Sequence, residues 1–220
     1  MKAIINGIIV VALALLPPRT VQAQGTITYL SNLGQASAGS LGVGSDSWYA
    51  ALFFTGTNPS GYELDSIQLE MADASGNPNG FTAMLYSASF GSGIAPGNSL
   101  GTLDGSVNPA MGGIFTYTPI SNLTLSRNTP YFIVLSSGTA VADGAYGWSF
   151  VGTYSYSQNG GWRTFANIFQ SSNGSSWTSA TSSDAQFAIN ATAVPEPGVL
   201  GLIGLGGLAF LWHRRQSKAA

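Results

Sequence analysis

Tyr62-Glu63-Leu64-Asp65-Ser66-Ile67-Gln68-Leu69-Glu70-Met71 is the stretch that decides the fold. From Ser66 onward the residues alternate. Ile67, Leu69 and Met71 point one way, and Ser66, Gln68 and Glu70 the other, as in a strand with one buried face. Tyr62 and Leu64 also alternate, but on the opposite parity. A bulge near Asp65-Ser66 restores one apolar face, because one extra residue shifts the phase of every side chain after it. Outward from this strand, the same pattern marks residues 26–30, 48–55, 81–88, 99–103, 114–117, 123–125, 131–135, 146–151 and 186–191. In 48–55 both faces are apolar, and 131–135 is a continuous apolar run of a central strand. Gly, Asn, Pro and Ser lie between the runs, including a soft loop over 31–45 and a turn over 73–80. No segment of the body holds a helical period. The expectation is all-β: an antiparallel β-sandwich over residues 24–193.

Composition agrees with an extracellular β-rich body. Charged residues are 7% of the chain, Gly is 29 of 220, and hydrophobic residues reach 45%. There is no cysteine, which excludes disulfides, thiol catalysis and thiolate metal sites. Between residues 24 and 194 the bases are Arg127 and Arg163, against eight acids, leaving −6. Nucleic-acid binding needs clustered Lys and Arg and is excluded on this count. The one histidine, His213, lies beyond the body, so neither a Ser-His-Asp triad nor a histidine metal site can form there. Glu63 and Asp65, at i and i+2, are read as solvated edge acids rather than a glycosidase pair. The oxygen-bearing run Asp73, Ser75, Asn77 and Asn79 is read as a polar turn in preference to a calcium loop. The chain is therefore expected to be no enzyme, with no metal and no cofactor.

The two ends read differently. Residues 1–23 have a short positive start, an apolar run over 3–16, and small residues at Val21 and Ala23, which make a secretory signal peptide cut after Ala23. At the other end, Pro195-Glu196-Pro197 leads into an apolar segment, 199–212, followed by the basic end 213–215. Proline fixes φ and carries no N–H, and it pushes the preceding residue to extended geometry, so the motif protrudes as an open backbone. Fourteen helical residues rise about 21 Å, against a hydrocarbon core of about 30 Å. Four glycines in that run each weaken a helix by about 1 kcal/mol. Such a segment is a transient inner-membrane anchor. Arg214 and Arg215 hold its end on the cytoplasmic side.

The tail 194–220 resembles the PEP-CTERM sorting signal, on Pro195, Glu196, Pro197, the apolar run 199–212, and Arg214-Arg215. The same tail is also labelled an ice-binding protein C-terminal domain. The resemblance implies a sorting enzyme partner, an exosortase, in an exopolysaccharide-producing Gram-negative bacterium. It also implies export to the cell surface or extracellular matrix. The body, through Tyr62 to Leu69, Leu123-Thr124-Leu125 and Thr129 to Val134, resembles choice-of-anchor domains, which implies a jelly-roll-like accessory fold. A last group is Trp148, Trp162 and Trp177, set among Ser, Asn and Gly. Flat aromatic faces edged by polar groups suit sugar rings. These three are candidates for glycan contact, so a carbohydrate-binding module is the alternative function, with an extracellular hydrolase behind it.

Overall fold

The computed structural model describes residues 25–196, apart from 92, 106, 153–155 and 182, and without the side chains of 166 and 181. The expected signal peptide with its cut after Ala23, Pro197, the apolar segment 199–212, and Arg214-Arg215 lie outside the described residues. Among those described there is no helix long and apolar enough to cross a membrane.

The order is β1 (Ile27–Ser31), β2 (Gly39–Val43), β3 (Trp48–Phe54), β4 (Tyr62–Gly76), β5 (Thr82–Phe90), β6 (Ile94–Gly105) and β7 (Gly113–Pro119). Then come β8 (Thr124–Leu125), β9 (Pro130–Ser136), β10 (Gly144–Val151), β11 (Ser157–Gln158), β12 (Arg163–Ser171), β13 (Thr178–Thr181), β14 (Asp184–Ala185) and β15 (Phe187–Ala193). The expected all-β, antiparallel architecture is the one found. In place of two separate sheets, the hydrogen-bonded ladder is continuous, in the order β11-β1-β15-β4-β7-β6-β5-β9-β3-β12-β13, with β10 beside β4 and β2.

This ladder folds over so that strands far apart in its order meet. The Trp162 ring, just before β12, stacks on Tyr29 of β1 at 4.8 Å and on Phe53 of β3 at 5.8 Å. It also stands edge-on to Tyr62 of β4 at 4.9 Å. Inward residues of β4 (Ile67, Leu69, Met71), β9 (Tyr131, Ile133, Leu135) and β10 (Tyr146, Trp148) share this core. The dense run in β3 divides as its alternation demands. Tyr49, Ala51 and Phe53 face that core, while Ala50 and Leu52 join Met84, Phe132, Val134 and Phe169 in a second apolar cluster on the outer side.

The bulge expected in β4 is present. Ser66 is paired with Asn190 and Leu64 with Ala191, so Asp65 is the extra residue. Tyr62, Leu64, Ile67, Leu69 and Met71 are all buried as a result. Elsewhere the expectations shift. β4 runs on through the anticipated turn as far as Gly76, because Gly144 and Ala145 of β10 pair with Gly76 and Ser75. The soft loop 31–45 contains β2, a glycine-rich strand held along β10. The stretch from 162 to 181, to which the sequence pattern assigns no strand, supplies β12 and β13, with β12 on the open side of β3.

Candidate functional site

The start of the Pro-Glu-Pro motif, just past the end of β15, is the site with the most chemistry to explain, and its root is built by a turn. Asn58-Pro59-Ser60-Gly61 places Asn at the first position, Pro at the second and Gly at the fourth, the residues a tight turn favours. The Gly61 N–H donates to the Asn58 carbonyl at 3.0 Å, closing the turn. Gly61 has φ +78, and a Cβ there would lie 2.5 Å from the Leu125 carbonyl oxygen, so both conformation and space require glycine. Beneath the turn, the Tyr62 hydroxyl accepts from the Asn58 N–H at 3.1 Å, and the Tyr62 ring packs edge-on against Tyr29 and Trp162.

This turn grips the end of β15. Thr192 pairs with Glu63 and Ala193 with Tyr62. One residue later the Val194 N–H donates to the Gly61 carbonyl at 3.0 Å. The Asn58 Nδ2 donates to the Val194 carbonyl at 2.9 Å and also to the Gly61 carbonyl. Both backbone groups of Val194 are therefore engaged. Pro195 has no N–H to offer, so the ladder ends there. Pro195 and Glu196 are exposed. The body thus passes into the motif with no spacer. Four residues, 195–198, lie between Val194 and Val199, so the apolar run begins five residue steps, about 18 Å at most, from the clamp.

The paired acids both lie beside Thr192 of β15. Asp65, on the bulge, accepts the Thr192 hydroxyl at 2.8 Å, and Glu63 sits opposite Thr192. The Asp65 carboxylate thereby ties the bulge of β4 to the end of β15. Asp73 accepts the Gly112 N–H at 2.7 Å from within β4 rather than from a loop. Among the described residues no group of three or more His, Asp or Glu could hold a metal.

Of the three candidates for glycan contact, two are in the core. Trp148 is 0% and Trp162 1% exposed. The Trp148 indole N–H donates to the Gln186 carbonyl at 3.1 Å, as a core tryptophan's does. Neither side chain can meet a glycan, because the folded-over ladder closes on both. Trp177 is half-buried and packs with Trp48 against the outer cluster of β3 and β12.

A buried polar group escaped the sequence reading. Asn32 donates through Nδ2 to the Ala185 carbonyl at 3.0 Å and accepts the Phe187 N–H at 2.8 Å. Gln186 donates through Nε2 to Glu70 at 3.1 Å and to the Gln35 carbonyl at 2.9 Å. Asp184 is 3% exposed with Oδ2 unpartnered, and burial pushes its pKa up to about 6. The signal available was an Asp and a Gln on either side of Ala185, next to an apolar strand. The Asn58 turn was also legible, as Asn-Pro-Ser-Gly directly before the clearest strand.

Residues 193–215 match the family model of the PEP-CTERM protein-sorting motif. The match begins at the last residue of β15, so the motif's first residues are the ones the clamp holds. No curated protein matches the chain, and no solved structure matches it.

Proposed function

We propose that this chain, which carries a PEP-CTERM protein-sorting motif and by that motif is an exosortase-sorted, exported protein, is a non-enzymatic component of the cell surface or extracellular matrix. Its host is an exopolysaccharide-producing Gram-negative bacterium. The body is the cargo, a sandwich-like β-fold, and the tail is a temporary inner-membrane anchor. The observation that carries this reading is the root geometry. Both backbone groups of Val194 are bonded to the turn, while Pro195 and Glu196 stand free directly after it. A sorting enzyme meets Pro195 and Glu196 exposed on a hydrogen-bonded base, so less ordering entropy is lost on engagement.

The test is Glu196→Ala, followed by tail cleavage and location, in a host with the exosortase and one without. Parent chain processed only where the enzyme is present, with the variant left unprocessed in the inner membrane, is the expected result. Equal processing of both chains in both hosts would reduce the motif to a linker.

A second reading, glycan contact, has one observation in its favour. Trp48, Tyr86 and Trp177 are each partly buried and pack against the outer cluster that includes Ala50 and Leu52 of β3. Trp177→Ala should then weaken polysaccharide binding without unfolding the body. Unchanged binding would remove this reading.

A further inference from the structure

β1 and β15 are antiparallel neighbours, with Ile27 opposite Ala191. The chain therefore enters the body at the end where it leaves, and that end lies within about 18 Å of the apolar run. The body's two bases are at this same end. Arg127 lies in the turn where the Asn128 N–H donates to the Gly56 carbonyl and the Thr55 N–H to that of Thr129. Arg163 is paired with Phe54, and its guanidinium lies over that ring at 4.7 Å. Both arginines are exposed. Phe165, 53% exposed, stands edge-on to Phe54 at 5.4 Å. Arg163 and Phe165 belong to β12, and Arg127 lies in the turn between β8, which pairs with β4, and β9. The acids at this end, Glu63, Asp65 and Glu196, belong to the β4-β15 side. Asp46, Asp73 and Asp143 sit toward the opposite end. There the Val141 N–H donates to Asp46, and β4 closes on the start of β10 through Gly76 and Gly144.

We propose that the rim formed by Arg127, Arg163 and Phe165 rests on the anionic phospholipid headgroups of the membrane that holds the tail. The proposal rests on the anchor reading of the tail. Guanidinium groups match phosphate geometry, and an exposed aromatic ring suits the bilayer interface. The far end, with Asp46, Asp73 and Asp143, points outward. The body leans on one side, which turns the root of the motif toward the membrane at a fixed angle.

The chain has no cysteine, so single labels can be added cleanly. Full-length Ser126→Cys and Ala142→Cys, each carrying a fluorophore, are reconstituted in phosphatidylcholine vesicles with and without one-third phosphatidylglycerol. A headgroup-attached quencher reports proximity. In anionic vesicles at low salt, quenching at Ser126 is expected to be at least twofold that at Ala142. Adding Arg127→Gln and Arg163→Gln, or raising salt, should return the ratio to its value in neutral vesicles. Equal quenching at the two positions in floated protein overturns the orientation. A Ser126 excess that ignores both lipid charge and the arginine changes overturns the rim, leaving only tether proximity. Failure to float with neutral vesicles overturns the anchor reading, and the proposal with it.

Discussion

Asp184 shows how much a single buried group can govern. Its carboxyl is 3% exposed, one oxygen has no partner, and burial lifts its pKa from 3.8 to about 6. The fold favours the protonated form. Its contribution is therefore fully present below the unfolded value near 3.8, is lost as pH rises through about 6, and is level above. The whole effect is about 3 kcal/mol at most. Asp184→Asn should lose this dependence and exceed the parent by about 1–3 kcal/mol at neutral pH. Urea midpoints of both chains across the acid range provide the check. A constant difference between them would mean that folding leaves the Asp184 pKa unshifted. Trp162 makes the complementary case. Stacked on Tyr29 and Phe53 with 1% exposure, its change to Ala should cost about 3–5 kcal/mol. A thermal scan showing little loss would restore it to the surface. Both residues look alike in sequence to exposed ones, since their polar neighbours carry the deceptive signal.

At the scale of elements, legibility follows the alternation of the side chains. β4 was readable down to its bulge because Tyr62, Leu64, Ile67, Leu69 and Met71 are all inward and apolar. β12 was not, because its pattern is inverted. Thr164 is inward and satisfies its hydroxyl on the Leu52 carbonyl, while Phe165 is outward. β2 was hidden by Gly39 and Gly42, which supply no side chain to alternate, and it is held by β10 alone. For the site, the exposed motif was readable and the grip on it was not, since Asn58 and Val194 are far apart in the chain. That grip is itself testable. Asn58→Ala removes the bond to the Val194 carbonyl, and should cost about 1 kcal/mol. Amide exchange at Val194 should quicken severalfold, while that of Ile67 and Leu69 keeps its rate. Uniform acceleration across β4 would show that Asn58 supports the whole sheet rather than its last residue.

For the whole molecule, the continuous ladder and shared core among the described residues lie within 25–194. No strand among the described residues depends on the tail. The chain cut after Val194 should therefore fold by itself, with a far-UV circular dichroism spectrum dominated by strand. A helical or unfolded spectrum would refute this. Independence of body and tail is what a detachable signal requires, and the clamp at Asn58 and Gly61 sets where the detachable part begins. The most direct test is the C-terminal mass of the protein recovered from outside a cell that carries the exosortase. The retained chain should end after Val194 and before Val199, with β15 whole and the apolar run gone. An end that still carries Arg214 and Arg215, or one that falls inside β15, would contradict the account.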